Sequence, residues 1–226
     1  MNPELRITAD GSHTLYLKNL DENYHSLHGA ITESLHVFIH AGLQQFLNTT
    51  NTIHILEIGF GTGLNTLLSC LFADENAMQI HYTTIEPSPL DNTLIQSLNY
   101  SQQLRKDASE NLFNAIHAAP FEKEINITKN FILNKQRTTL ETFQSTNHYD
   151  LVYFDAFGPR VQAEIWNLNN FQKLFQLMKP NAILVTYCAK GEVRRTMQAA
   201  GFSVERLSGP PGKREMLRCS KTAHHD

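Results

Sequence analysis

The chain has few cysteines and no long apolar run, and both absences limit the class of protein. Its 226 residues include three cysteines, Cys70, Cys188 and Cys219, which lie far apart. This spacing gives no metal-type pair and favours buried free thiols in a reducing cytoplasm. No apolar run reaches the roughly 18 residues that a membrane span needs, and the first residues lack the apolar core of a signal peptide. The sequence therefore predicts a folded cytoplasmic protein without a membrane partner.

The chain also lacks an overall excess of positive charge. Its formal net charge is −3, which gives no global nucleic-acid signature. Residues 188–226 nevertheless hold eight Lys and Arg against four Asp and Glu, so this quarter carries +4 and the remainder −7. A local contact with a polyanion and an ordinary solvated surface both fit this distribution. The eleven histidines show no His-Glu-x-x-His pattern, and no metal site is predicted.

Residues 53–66 predict a strand, a glycine turn and the start of a helix. Residues 53–58 are mostly aliphatic, as a buried parallel strand requires. Gly59, Gly61 and Gly63 follow at once, and glycine allows positive φ and close approach of a ligand. A helix predicted over 64–73 would direct its free N–H groups towards the turn. The pattern predicts a site for a nucleotide-like ligand at the carboxyl end of the first strand.

The spacing of these glycines limits which class of ligand the turn is expected to bind. A dinucleotide fingerprint needs a sixth-position glycine where the chain has Leu64, and the Gly-Lys-Ser/Thr of a P-loop is absent. Glu57 instead stands two residues before Gly59. The resulting E-x-G-x-G-x-G pattern resembles the first motif of Rossmann-like S-adenosylmethionine (SAM) methyltransferases. An ordinary glycine-rich turn of an α/β protein is the alternative.

Two acidic residues follow further predicted strands. The strand over 79–85 ends in Glu86 and Pro87, where a doubly wound fold places an acid for the ribose hydroxyls. Capping of the next helix is the alternative for Glu86. The strand over 149–154 delivers Asp155 to the same edge of the sheet, a suitable place for chemistry beside a cofactor.

The remaining segments complete an α/β pattern. Residues 88–127 look helical, 131–133 and 182–187 are predicted strands, and 202–207 with 215–219 predict an antiparallel pair. Residues 134–137 are basic where related enzymes often place an acid or small polar residue for adenine, so a backbone contact or Asn134 is the expected substitute.

The first 50 residues predict an extension of the main domain. A hairpin is expected over about 6–18 and a helix over 32–46. Tyr24, His25 and Glu33 are candidates for lining a pocket. We predict an N-terminal extension over 1–50, packed on a domain over 51–222.

Several segments, in order, resemble the methyltransferase domain of the MnmC family. They are Asp10-Gly-Ser-x-Thr-Leu-Tyr16, Tyr24-His-Ser26, Glu33-Ser-x-His-Val-Phe38, the motif from Glu57 to Asn65, Phe154-Asp-Ala-Phe-Gly-Pro159 with Trp166, Val193-Arg-Arg195 and Gly212-Lys-Arg-Glu-Met216. Together they cover nearly the whole chain. The family's Asp-Gly-Phe-x-Pro appears here as Asp155-Ala-Phe-Gly-Pro159, a mild departure that keeps the acid, the aromatic residue and the proline.

The resemblance implies a fold and a reaction. The fold would be a Rossmann-like class I SAM methyltransferase, with a seven-stranded, mostly parallel sheet and an N-terminal hairpin and helix. The reaction would be SAM-dependent methylation of the aminomethyl group on the wobble uridine (5-aminomethyl-2-thiouridine) of tRNA. Because these residues contain no second dinucleotide fingerprint, the FAD-dependent oxidoreductase step of the bifunctional relative is not expected. Other enzymes would then install the aminomethyl group.

The site residues follow from the motifs and the resemblance. Asp155 is the predicted catalytic residue, accepting a hydrogen bond and a proton from the amine. The predicted cofactor-binding residues are Glu57, Gly59, Phe60, Gly61, Thr62, Gly63, Asn65, Glu86, Pro87 and Asp155. The predicted contacts with the substrate and the anticodon loop of the tRNA are Tyr24, His25, Phe157, Lys190, Arg194, Arg195, Lys213 and Arg214.

Two other functions share parts of this pattern. An aminopropyltransferase of the spermidine synthase kind has the same fold and an acid after the fourth strand, although a basic C-terminal quarter suits a polycationic substrate poorly. An RNA-binding module that keeps the fold without turnover is the other alternative, and intact Glu57, Glu86 and Asp155 oppose it.

Overall fold

The computed structural model describes residues 3–222, which form two sheets and seven α-helices. Residues 1–2 of the predicted extension and residues 223–226, including Asp226 of the basic quarter, lie outside the described residues. The strands are β1 (Glu4–Ile7), β2 (His13–Leu17), β3 (Glu22–Asn23), β4 (Thr52–Ile58), β5 (Gln79–Ile85), β6 (Glu124–Thr128), β7 (Phe131–Gln136), β8 (Tyr149–Phe154), β9 (Met178–Thr186), β10 (Ser203–Ser208) and β11 (Glu215–Ser220). The helices are α1 (Ala30–Ser34), α2 (Leu64–Glu75), α3 (Asn92–Gln96), α4 (Tyr100–Leu104), α5 (Ser109–Ala118), α6 (Leu168–Leu177) and α7 (Gly191–Ala199).

The larger sheet has the order β10-β11-β9-β8-β4-β5-β7-β6. Its five central strands are parallel, and the pair β10 and β11 is antiparallel as predicted. The strand order reverses direction next to β4, as in doubly wound α/β folds, and this confirms the predicted Rossmann-like class.

The predicted number of strands is wrong, because this sheet has eight strands instead of seven. The additional strand, β6, pairs antiparallel with β7 at the edge of the sheet. It lies within residues 88–127, which the sequence predicted as helical. Ile125 and Ile127 alternate with polar residues there and pack against the core, so the local period is that of a strand.

The N-terminal segment also differs in detail from its prediction. The hairpin of β1 and β2 is present, but β3 extends it to a three-stranded antiparallel sheet. The single helix predicted over 32–46 is instead three short pieces: α1, a π-helical turn over Leu35–His40 and a 3₁₀ turn over Leu43–Phe46. Gly42 lies between the last two with φ −108° and ψ −86°, outside the helical region, and therefore ends the helix. The boundary predicted at residue 50 stays a prediction.

The core lies on both faces of the larger sheet. Along β4, Ile53 and Ile55 belong to the hydrophobic cluster on one face, whereas Leu56 and Ile58 belong to the cluster on the other. Burial on both faces explains why this strand is almost continuously aliphatic. The three cysteines are free and buried. Among residues 3–222, no helix has the length and apolar character needed to cross a membrane.

Candidate active site

A cavity of about 510 Å³ opens at the carboxyl edge of the parallel strands. This volume falls in the range of small-molecule sites, roughly 300–1,000 Å³. The predicted residues that line it are Tyr24, His25, Gly59, Phe60, Gly61, Thr62, Asn65, Glu86, Pro87, Asp155, Phe157 and Lys213. The topology therefore brings together most of the site predicted from the sequence.

The glycine turn needs its glycines for two different reasons. Gly59, Gly61 and Gly63 all have positive φ, at 93°, 49° and 74°. A Cβ on Gly59 would lie 2.8 Å from the carbonyl oxygen of Asp155, so this glycine lets the turn touch the end of β8. Gly63 does not line the cavity; it is the N-cap of α2, where a Cβ would lie 2.7 Å from Nε2 of His117.

Glu86 connects the end of β5 to the glycine turn. Its carboxylate accepts a hydrogen bond from the backbone N–H of Gly61 over 3.1 Å and another from Ser88 over 2.9 Å. The alternative, that Glu86 caps the next helix, is wrong, because Asp91 caps α3. Glu86 faces the cavity next to the turn, where the doubly wound fold places a ribose-binding acid.

Glu57 lies beneath the turn and does not line the cavity. It is 1% exposed and accepts a hydrogen bond from Oγ1 of Thr66 over 3.1 Å. Burial raises the pKa of its carboxyl to about 8. Its contact with α2 supports the turn from below, so any effect of Glu57 on a ligand passes through the turn.

Asp155 presents a carboxylate to the cavity at the end of β8. Nδ2 of Asn65, in the first turn of α2, donates a hydrogen bond to its Oδ2 over 2.8 Å. Burial raises the pKa of the Asp155 carboxyl to about 7, and the charge of Glu33 acts in the same direction, whereas Asn65 and Lys213 act against it. A carboxyl group with a pKa near 7 can take up and release a proton near neutral pH.

Asn65 has a second polar atom in the cavity wall. Its Oδ1 is buried and has no hydrogen-bond partner among residues 3–222, while Nδ2 is engaged by Asp155. Buried polar atoms are normally hydrogen-bonded. This oxygen is therefore an acceptor available to the donor group of a ligand.

The N-terminal segment closes one side of the cavity. The rings of Tyr24 and Phe157 meet edge to face with centroids 5.0 Å apart. Nε2 of His25 shares a hydrogen bond of 2.7 Å with Oγ1 of Thr62, in the glycine turn. Glu33 also lines the cavity and is 6% exposed. The N-terminal segment thus supplies side chains to the site, and the position of Tyr24 makes it and Phe157 walls of the pocket.

Lys213, a predicted contact with the substrate and the tRNA, lines the cavity and is paired there. Its Nζ lies 2.5 Å from Oε2 of Glu33 and 3.9 Å from the ring centroid of Tyr187. Both neighbours line the cavity, as Lys213 itself does. A buried carboxylate holds this ammonium at the cavity, because the paired charges are more stable there than either alone.

The other four basic residues do not line the cavity. Lys190, Arg195 and Arg214 are exposed, and Arg194 is half-buried on α7. Lys190 lies 3.9 Å from Glu192, at the start of the same helix. These residues therefore remain candidates for an outer surface beside the site.

Sequence reasoning missed the residues that follow β7. This strand extends to Gln136, so Asn134 and Lys135 lie within it instead of after it. The cavity is lined instead by Thr138, Thr139, Leu140 and Glu141. Because residues 134–136 are all polar, no apolar pattern in the sequence indicated that the strand continues beyond residue 133.

Lys135 serves the fold and not the cavity. It is 2% exposed, and its Nζ donates hydrogen bonds of 2.9 Å to the carbonyls of Ile116 and His117, in the last turn of α5. Burial lowers the pKa of this ammonium to about 8. A lysine in this position satisfies carbonyls that a helix end leaves unpaired.

The chain matches known proteins over most of its length. Residues 97–222 match the model of a family described as S-adenosyl-L-methionine-dependent methyltransferase. This match covers more than half of the chain and includes Asp155 and Lys213, although the glycine turn precedes it. The fold and this match identify the chain as a SAM-dependent methyltransferase.

The curated relatives show which group of SAM-dependent methyltransferases the chain resembles. The chain is 31% identical to the tRNA 5-methylaminomethyl-2-thiouridine biosynthesis bifunctional protein MnmC of Cupriavidus metallidurans, over 93% of this chain and 32% of the relative. It is 33% identical to the protein of the same name from Ectopseudomonas mendocina, over 86% of this chain and 31% of the relative. A crystal structure of MnmC2 from Aquifex aeolicus superposes with a TM-score of 0.79 and 24% identity, over 98% of this chain and 71% of that one. The chain belongs to the MnmC methyltransferase domain family, and it spans about a third of the length of the curated relatives.

The residues of the cavity fit SAM, the cofactor of this family. The glycine turn leaves backbone exposed where a Cβ would intrude, and Glu86 faces the cavity beside it. The unpartnered Oδ1 of Asn65 suits an ammonium donor, and SAM carries one. Ile85, Leu140 and Ile165 form an apolar wall suited to a flat base. No group of three or more His, Cys, Asp or Glu side chains is arranged for a metal ion in the described part of the chain.

Proposed function

We propose that the chain transfers a methyl group from SAM to the aminomethyl group of 5-aminomethyl-2-thiouridine at the wobble position of tRNA. The observation that carries the proposal is Asp155, a carboxylate at the cavity whose pKa is raised to about 7 by burial. The names of the relatives, which refer to biosynthesis of 5-methylaminomethyl-2-thiouridine in tRNA, support the identity of the substrate.

The cofactor would lie between the glycine turn and residues 138–141. Gly59, Gly61 and Thr62 would lie against its amino acid and ribose, with Glu86 and Pro87 at the ribose. Phe60 packs on His117, with ring centroids 5.2 Å apart, and steadies the turn. When bound, SAM would supply a methyl group carried on a positively charged sulfur. The amine nitrogen would bond to this methyl group, and the sulfur would keep the electron pair of the broken bond, giving S-adenosylhomocysteine.

The main task of the protein is to present a neutral amine. A primary amine is mostly protonated near neutral pH, and the ammonium has no lone pair for the new bond. Asp155 accepts a hydrogen bond from the ammonium and takes its proton, which then passes to solvent. Asn65 holds the carboxylate in place for this transfer over 2.8 Å. The walls formed by Tyr24 and Phe157 limit how the substrate enters, which favours a near-attack arrangement.

The tRNA would be held outside the cavity. The wobble nucleotide must be splayed out of the anticodon loop to reach Asp155. Lys190, Arg194, Arg195 and Arg214 are the candidates for phosphate contacts, and such contacts make binding sensitive to salt. The reaction belongs in the cytoplasm with tRNA, after enzymes that install the aminomethyl group.

Labelled SAM and two tRNA preparations test the proposal. We expect methyl transfer to tRNA that carries 5-aminomethyl-2-thiouridine and none to the same tRNA without the aminomethyl group. Asp155→Asn should still bind SAM in calorimetry, with at most a modest loss of affinity, and transfer methyl groups far more slowly. Full activity in Asp155→Ala would exclude the proposed role of the carboxylate. Transfer from decarboxylated SAM to a diamine would instead favour the aminopropyltransferase alternative.

A further inference from the structure

Lys213 and Glu33 form an ion pair in the wall of the cavity. Their charged atoms are 2.5 Å apart, and the second carboxylate oxygen of Glu33 accepts a hydrogen bond of 3.0 Å from the backbone N–H of Ser26. The ammonium also lies 3.9 Å from the ring centroid of Tyr187, close enough for a cation–π contact. Glu33, which is itself held by Ser26, and the ring of Tyr187 therefore fix the position of the Lys213 side chain.

Tyr187 links this ion pair to the backbone next to Asp155. The hydroxyl of Tyr187 donates a hydrogen bond of 2.9 Å to the carbonyl of Ala156, which directly follows Asp155. The two charges act on Asp155 in opposite directions, since Glu33 raises the pKa of its carboxyl and Lys213 lowers it. Both members of the pair line the same cavity as Asp155.

Titratable groups on several elements interact electrostatically with Asp155. They are Glu33 from α1, Glu57 from β4, Tyr100 from α4, Tyr187 after β9 and Lys213 from the β10–β11 loop, with the neutral Asn65 from α2. Lys213 is the one cation in this set, and its partner Glu33 is one of two additional carboxyl groups. A change in the charge of either member therefore has a strong effect on the site.

We propose that Glu33 and Lys213 are positioning residues for methyl transfer, and that Lys213 acts on the amine and on Asp155 instead of on a tRNA phosphate. A positive charge near the substrate nitrogen disfavours the ammonium form and keeps the Asp155 carboxylate ready to take the proton. Glu33 holds Lys213 in place and moderates its charge. This inference rests on the proposed function, because it concerns the amine substrate of that reaction.

The titration of Asp155 in the free protein provides a test that needs neither SAM nor tRNA. Carbon-13 NMR of the aspartate carboxyl groups, with the Asp155 signal assigned from Asp155→Asn, follows its protonation directly. We expect the midpoint to move to higher pH in Lys213→Met and to lower pH in Glu33→Gln. Lys213→Arg should restore the wild-type midpoint, because it keeps the charge.

The same variants should move the acid limb of the pH–rate profile in the same two directions. Lys179→Met is the matched control, because Lys179 also pairs with a carboxylate, Asp150, over 2.8 Å and does not line the cavity. It should leave both midpoints at wild-type values.

Two outcomes separate this inference from the proposed function. Unshifted midpoints in both Lys213→Met and Glu33→Gln, with Lys213→Met only weakening tRNA binding and its salt dependence, would overturn the inference and return Lys213 to the phosphate contacts. A wild-type protein that binds SAM and does not methylate the aminomethyl tRNA would refute the proposed function, whatever the titrations show.

Discussion

The amide of Asn65 donates a hydrogen bond to the carboxylate of Asp155 over 2.8 Å, and this bond joins the two halves of the site. Asn65 belongs to the helix that follows the glycine turn, whereas Asp155 ends the neighbouring strand β8. A hydrogen bond to an ionised carboxylate stabilises the charged form. Asn65, next to the glycine turn, therefore lowers the pKa of the Asp155 carboxyl.

Replacement of Asn65 by alanine should weaken catalysis most at low pH. Loss of the donor raises the pKa of Asp155 above its value of about 7, so we expect the rate at pH 7 to fall about tenfold and to recover at higher pH. A pH–rate profile measures this. The matched control is Asn130→Ala, since Asn130 donates a hydrogen bond of 3.0 Å to Asp74 and does not line the cavity. An unchanged acid limb in Asn65→Ala would contradict the prediction.

Gly59→Ala should damage both the fold and cofactor binding. The residue has φ 93°, and a Cβ would lie 2.8 Å from the carbonyl oxygen of Asp155. We expect the free energy of unfolding to fall by at least about 1 kcal/mol and SAM binding to be lost. Urea denaturation and calorimetry measure the two effects. Gly158→Ala is the control, because its nearest atom, the hydroxyl oxygen of Tyr187, is 3.6 Å away.

Glu86→Gln should weaken SAM binding without unfolding the protein. The substitution removes the charge that would hold the ribose hydroxyls, and charged hydrogen bonds contribute roughly 1.5–3 kcal/mol, so we expect a loss of about 10- to 100-fold in affinity. Glu122→Gln is a suitable control, since this carboxylate also accepts a backbone hydrogen bond, from Arg137 over 2.8 Å, but lies away from the cavity. Equal affinities for wild type and Glu86→Gln would exclude the ribose contact.

Acid should destabilise the protein partly through His25. Burial lowers the pKa of this imidazole to about 4 from its ordinary 6.5, so the unfolded chain binds more protons between these values. Stability is then full above about pH 6.5 and falls as the pH drops towards about 4, by at most about 3 kcal/mol. Denaturation at several pH values should show a shallower fall for His25→Gln and a wild-type fall for the exposed His148→Gln. Identical pH dependence in wild type and His25→Gln would contradict this assignment.

Loss of the basic residues on α7 should weaken tRNA binding and leave SAM affinity unchanged. For the double variant Arg194→Ala and Arg195→Ala, we expect weaker tRNA binding and a salt dependence that is smaller by about 0.7–0.9 in log–log slope per lost phosphate contact. SAM affinity should stay at the wild-type value, because neither residue lines the cavity. Filter binding at several salt concentrations measures the slope, and an unchanged slope would remove α7 from the tRNA surface.

Local sequence patterns predicted the parts of the site that follow directly from a strand. Gly59, Glu86 and Asp155 each come immediately after a continuous or alternating apolar run. Because the carboxyl ends of parallel strands share one edge, such positions can be placed together without coordinates. Secondary structure was predicted less accurately in segments with weaker hydrophobic periodicity. The short edge strand β6 lies in a stretch whose sequence predicts helix, and the helix predicted over 32–46 is divided by the backbone conformation of Gly42.

The sequence did not predict that the Lys213 side chain pairs with Glu33 in the cavity wall. Its neighbours in the chain, Gly212 and Arg214, suggested an exposed basic loop, and Arg214 is indeed exposed. The partner Glu33 lies 180 residues away. No local period connects two residues at such a separation, so only the packing of the N-terminal segment against the β10–β11 loop reveals the pair.

Local sequence patterns were enough to predict the class of fold, the glycine turn and the two acids at the edge of the sheet, because each depends on residues close together in the chain. Three features became visible only in the tertiary structure: Glu57 lies beneath the glycine turn, residues 138–141 complete the cavity, and Lys213 pairs with Glu33 in the cavity wall. These features depend on contacts between distant segments, and their energies come from burial and charge pairing that no local pattern encodes.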